Sequence, residues 1–100
     1  MHITKTVVDN TVILTLVGRL DTITSTMLST ELDIVFAGGN PNLIFDLKEL
    51  DYISSAGLRV FLTAQKKVKA SGNEMKITGA NESVKEIFEV TGFAGIMNIE

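Results

Sequence analysis

The feature that most constrains this chain is a short apolar run that ends in an acidic, serine-rich turn and opens into a long amphipathic segment. It occupies residues 43–71, LIFDLKELDYISSAGLRVFLTAQKKVKAS. Residues 43–47 have the length of a strand and are too few for a helix. Asp46 interrupts the run near its end, and a connector carrying Leu50, Tyr52 and Ile53 leads to Ser54 and Ser55. From Leu58 the period becomes helical. Leu58, Val60, Phe61, Leu62, Ala64 and Val68 share one wide arc when successive residues are set about 100° apart. Arg59, Thr63, Lys66, Lys67 and Ala70 fill the other side. Lysines crowd the C-terminal end, where positive charge suits the helix dipole, and Gly72 stops the helix. The spacing therefore predicts a strand, a turn, and a helix over residues 55–71 whose start presents two serines beside a glycine.

Free backbone N–H groups and the dipole make such a start favourable to negative charge. Two readings follow for Ser54 and Ser55. They cap a core helix, or one of them accepts a phosphoryl group that the helix end would stabilise. Spacing alone leaves both open.

The remainder frames this unit. Residues 2–8 alternate and are rich in β-branched side chains, Asp9-Asn10 is a hairpin turn, and residues 12–17 form a partner strand, apolar on both faces. Gly18-Arg19-Leu20-Asp21 ends that strand, and Asp21 or Thr22 caps a helix over residues 23–37. Its buried stripe is Leu28, Leu32, Val35 and Phe36, flanked by Ile23, Met27 and Ile34. Gly38-Gly39-Asn40-Pro41 breaks it. After the central unit come a short strand at residues 75–78, a helix over residues 82–91 capped by Asn81, and a last strand within residues 96–99. The order is β-β-α-β-α-β-α-β. Strand–helix–strand units demand parallel crossovers and the opening hairpin adds one antiparallel strand, so an α/β fold with a mixed four- to five-stranded sheet covered by about three helices is expected.

Composition narrows the chemistry. One hundred residues at 45% hydrophobic content suit one small domain, residues 1–100. A net charge of −3 argues against a nucleic-acid binder. No cysteine is present, so neither a disulfide framework nor thiolate chemistry is expected. The single histidine, His2, sits in the first strand with nothing to orient it as a base, and is read as an ordinary strand residue. Metal-ligand spacing and a glycine-rich phosphate loop are both missing from the sequence. No catalytic residue, metal or cofactor is expected. Without a basic-then-apolar leader or an apolar run of membrane length, a cytoplasmic domain with no membrane span is expected.

The run Asp46-Leu47 … Leu50-Asp51-Tyr52-Ile53-Ser54-Ser55-Ala56-Gly57-Leu58 resembles the signature of STAS domains, the anti-sigma factor antagonist family. The quartet Gly18-Arg19-Leu20-Asp21 is similar to that family's Gly-Glu-Leu-Asp motif, with Arg19 in place of the acid. The resemblance implies the same mixed-sheet fold. It also implies that Ser55 is the regulatory phosphorylation site, with Asp21 close to it. Ser54 stands where many members have Asp, which makes it the rival acceptor. The implied cycle has the unmodified domain bind an anti-sigma factor, itself a serine kinase of the histidine-kinase-like ATPase fold, and so free a sigma factor. The kinase then phosphorylates Ser55 and a metal-dependent serine phosphatase restores it, with nucleotide and Mg²⁺ belonging to the partner. Asp46, if near, adds to the negative potential there. A second reading is a STAS scaffold without sigma-factor chemistry, a subunit of a lipid-transport or other assembly.

The expected docking surface surrounds Ser55 and takes in Ala56, Gly57, Leu58 and Leu62. The two leucines lie at a margin of the apolar arc, beside Gln65 and Lys69. Either they are exposed anchors for the partner, or they belong to the core.

Overall fold

The computed structural model describes residues 1–100. Two strands, β1 (His2–Val8) and β2 (Thr11–Leu20), form the expected hairpin; Val8 faces Thr11, and Asp9 takes a positive φ of 53° in the two-residue turn. Then come α1 (Thr24–Ala37), β3 (Asn42–Ile53), α2 (Ser55–Ala70), β4 (Met75–Thr78), α3 (Glu82–Val90), a 3₁₀ turn over Phe93–Gly95, and β5 (Asn98–Ile99). The five strands lie side by side in chain order. β1 is antiparallel to β2, and every later pair is parallel. The mixed sheet, its three helices and their order match the expectation, and the apolar run that opens the central unit lies in the middle strand.

The register shows which face the helices cover. Val12 pairs with Leu43 and Leu43 with Met75; Leu14 pairs with Phe45 and Phe45 with Ile77. All are buried, while Ile13, Ile44 and Lys76 between them are half-buried. One face of the sheet is thus the floor of the core, and the other is partly open. Residues 12–17 were expected to be apolar on both faces of an inner strand; β2 is inner, but its second face is only half covered. Glu31 of α1 reaches Lys5 of β1 at 3.3 Å, so α1 lies over the hairpin end of the floor. α2 contributes Phe61, which meets Phe45 edge-on at 4.8 Å between ring centroids and Phe88 of α3 at 6.0 Å. No helix is long and apolar enough to cross a membrane.

Two strands run further than the sequence reading has them, and both extensions bear on the site. β2 continues through Gly18 to Leu20, and the expected connector after Leu47 is strand as far as Ile53. The pairing slips between Thr15 and Val17 and again between Gly18 and Arg19. Each slip inserts an extra residue on β3, as a bulge does. Leu47, Leu50 and Ile53, three residues apart, all reach the core as a result, while Lys48, Glu49, Asp51 and Tyr52 face solvent. A period of three disguises a strand whose normal period is two. At the C-terminus, the last strand shrinks to two residues because Ile96 and Met97 are drawn into the preceding 3₁₀ turn, both donating their N–H groups to the Phe93 carbonyl.

Candidate functional site

The extended β2 and β3 end together, and there the chain turns into α1 and α2. The Ser54 N–H donates to the Leu20 carbonyl at 2.8 Å, closing the sheet at its last rung. Ser54 is in extended conformation, and its hydroxyl accepts the Gly57 N–H at 3.1 Å. It is the N-cap of α2. Ser55 is the first helical residue; it is exposed, and its hydroxyl has no hydrogen-bond partner within the protein. No acidic residue occupies the first turn of α2. Gly57 is needed for packing: a Cβ there would lie 2.7 Å from Cγ and Cδ2 of Leu20, so the end of β2 sits against the first turn of α2.

Asp21 occupies the neighbouring strand end. Its Oδ1 accepts the Thr24 N–H at 2.8 Å and the Ile23 N–H at 3.0 Å, while the Asp21 N–H donates back to Thr24 Oγ1 at 2.9 Å. The Thr24 hydroxyl lies 2.7 Å from the Arg19 carbonyl and 3.0 Å from Oδ1. This reciprocal turn ties off the start of α1 although the residue flanking the helix, Ile23, has no capping side chain. The Thr24 N–H foremost, then the Thr24 hydroxyl, hold the carboxyl below the ordinary aspartate range, with help from the Ile23 N–H and the Arg19 charge; desolvation opposes them. A folded-state value below the unfolded one means stability that is present above the ordinary aspartate range and lost as pH falls through the folded value. Asp21→Asn should therefore be less stable than the wild type near neutrality, with the gap closing in acid. Urea midpoints across a pH series check this, and a gap independent of pH would contradict it.

The expected site residues divide. Asp21, Ser54, Ser55, Ala56 and Gly57 come together at this end of the molecule. Asp46 does not: it stands seven residues before Ile53 on the same strand, roughly 20 Å along it, where Oδ1 accepts the Lys48 N–H at 3.1 Å. Its carboxylate serves the bulge. Leu58 is corrected as well. It is 6% exposed and belongs to the core, because α2 seats the stripe Leu58, Phe61, Ala64 and Val68 on the sheet. Leu62 is half-buried against that core.

Two features escaped the sequence reading. The Arg19 guanidinium lies over the Tyr52 ring, 4.4 Å from its centroid, because the shifted register pairs these two residues. A groove of about 300 Å³ separates α1 from α2; its lining includes Ser25, Thr26, Leu32, Ala56, Arg59 and Val60. Neither is visible before strand register and helix packing are known.

The model of one family, the STAS domain, matches residues 2–100. The chain belongs to the STAS domain family. Among its relatives is BtrV of Bordetella bronchiseptica, which carries the name of an anti-sigma factor antagonist: 33% identity over 99 residues, spanning 99% of this chain and 85% of the relative. The anti-sigma-B factor antagonist of Bacillus subtilis is 29% identical over 91 residues, 91% of this chain and 83% of that protein. The fold is that of SpoIIAA in its unphosphorylated form (TM-score 0.86, 18% identity, 99% of this chain and 88% of that one). It is also that of the Bacillus SpoIIAA in its phosphorylated form (TM-score 0.78, 18% identity, 99% and 91%). This STAS domain keeps the strand–turn–helix unit at its centre, with an uncommitted serine hydroxyl at the helix start.

Proposed function

We propose that this STAS domain is an anti-sigma factor antagonist, a binding module switched by phosphorylation of Ser55. The observation that carries the reading is the contrast between two adjacent serines. The Ser54 hydroxyl is committed to the Gly57 N–H, whereas the Ser55 hydroxyl is exposed and unpartnered. The names of the relatives support the antagonist role, and nothing in them favours the scaffold reading. In the proposed cycle the unmodified domain binds an anti-sigma factor that is also a serine kinase, in the cytoplasm. The kinase moves the γ-phosphoryl group of its ATP to Ser55 Oγ; ADP leaves and the hydroxyl proton goes to solvent or a kinase base. A metal-dependent serine phosphatase hydrolyses the ester. The domain supplies the acceptor and the docking surface, and the kinase supplies nucleotide and Mg²⁺. Docking uses the strand-end turn with Ser55 and Ala56, together with the α1–α2 groove beside them; Leu58 takes no part, because it is core.

Incubation with the anti-sigma factor kinase and ATP, followed by peptide mass spectrometry, tests this. One phosphate on Ser55 is expected. Ser55→Ala should take none, and Ser54→Ala should still be modified although losing the cap costs about 0.5 to 2 kcal/mol of stability. Phosphate on Ser54, or none on the wild-type protein, would overturn the assignment.

A further inference from the structure

The nearest uncommitted cation to Ser55 along α2 is Arg59, one helical turn further on. Residues four apart on a helix are neighbours, with about 5 to 6 Å between their Cβ atoms. Helical side chains lean toward the N-terminus, so a long side chain at position 59 covers the turn that holds position 55. Arg59 is exposed and lines the α1–α2 groove beside Ala56. Its guanidinium has no ion pair, whereas Lys5 and Lys76 are paired with Glu31 and Glu100. Arg19 and Lys67 lie over the rings of Tyr52 and Phe36. The other cations of α2, at positions 66, 67 and 69, begin seven residues beyond Arg59, roughly 10 Å further along the axis. Asp33, across the groove on α1, is not within ion-pair distance of it.

We infer that Arg59 is the positioning residue for a phosphoryl group on Ser55, pairing with it in cis and drawing it along α2 toward the groove. This rests on the reading of Ser55 as the modified serine. Guanidinium is the side chain suited to it, since its fork of N–H donors matches two phosphate oxygens at once. Pairing would also withdraw the one free guanidinium of the groove from any acidic group on a partner. Modification would then change two charges on the docking surface, adding the phosphate and masking Arg59. Other charged groups at this end include the Met1 ammonium beside Gly18, Asp21, whose carboxylate is taken up by the backbone of α1, Arg19 on the Tyr52 ring, Glu49 and Asp51, exposed on β3, and Glu82 at the start of α3, next to the Asn81 that donates to the Leu50 carbonyl.

The test uses full-length protein with phosphoserine installed at position 55 during synthesis, so that no kinase is involved. Failure here overturns the role of Arg59 alone, while failure of kinase labelling overturns the modified serine. The ³¹P resonance is titrated in the wild type, Arg59→Gln and Arg59→Lys. The phosphate midpoint should fall about half a pH unit lower in the wild type than in Arg59→Gln, the size expected of one exposed pair. Arg59→Lys should restore part of the difference, and 1 M salt should shrink it. Equal midpoints in the wild type and Arg59→Gln at low salt would overturn the inference. So would a difference that salt leaves untouched.

Discussion

Phe61→Ala should lower stability by about 3 to 5 kcal/mol, the range for emptying a fully buried aromatic site. Phe61 is 0% exposed and is the keystone between layers, edge-on to Phe45 of the sheet floor and tilted against Phe88 of α3. Removing it leaves a cavity walled by two rings that have few ways to collapse, since Phe45 and Phe88 are themselves fully buried. Each aromatic pair adds about 0.5 to 1.5 kcal/mol beyond its burial, so the upper half of the range is expected. Domains of this size hold roughly 5 to 15 kcal/mol in total, and each kcal/mol is worth about 4 to 8 °C. A melting temperature lowered by at least about 12 °C is the expected result. Thermal and urea unfolding measure it, and a loss below about 1 kcal/mol would mean that the three rings do not form a packed unit. The consequence for function is direct. Phe61 lies six residues from Ser55 on the same helix, so a loosened α2 also loosens the turn that presents the serine.

The parts of this architecture that were legible in the sequence are those encoded by contiguous residues. The helical spacing of Leu58, Phe61 and Val68, the Asn81 cap that accepts the Val84 N–H at 2.9 Å, and the Asp9-Asn10 turn are all local signals. What was hidden depends on pairing between segments. The far half of β3 could not be recognised, because its bulges are defined only against β2. Asp46 looked like a neighbour of Ser55 by motif, yet an extended strand carries it far away. The margin of an apolar arc is equally ambiguous. Leu58 turned inward, and Gln65, read as a polar border, is buried with its Nε2 donating to the Ile96 carbonyl at 3.0 Å. That contact ties α2 to the C-terminal segment and lies 31 residues away in sequence, beyond the reach of periodicity. The expected residues that do lie together, Asp21 with Ser54 to Gly57, were grouped by a family motif and not by geometry.

Phosphorylation of Ser55 should weaken binding of the anti-sigma factor at least a hundredfold while leaving the domain folded. The fold does not use the Ser55 hydroxyl, so neither deleting nor esterifying it breaks a hydrogen bond within the protein. The first turn of α2 also lacks the acid that Glu82 supplies to α3. Negative charge added there favours the folded state by about 0.3 to 1 kcal/mol. In the bound state the sign reverses. A phosphate of about −1.5 to −2 charges must be desolvated or faces the partner's own groups, at a cost of several kcal/mol. Each 1.4 kcal/mol is tenfold in affinity, so about 3 kcal/mol already gives the hundredfold loss. Ser55→Ala should melt within about 0.5 kcal/mol of the wild type, as surface substitutions usually do, and should bind regardless of kinase activity. Ser55→Asp should hold or slightly raise the melting temperature and bind more weakly than Ser55→Ala, though less weakly than the phosphoprotein, since one carboxylate carries less charge. Calorimetric titration of the four forms against the anti-sigma factor, with melting curves alongside, decides the matter. Equal affinity for the modified and unmodified protein would remove Ser55 from the interface. A phosphoprotein that binds weakly only because it has unfolded would move the switch from the surface to the fold.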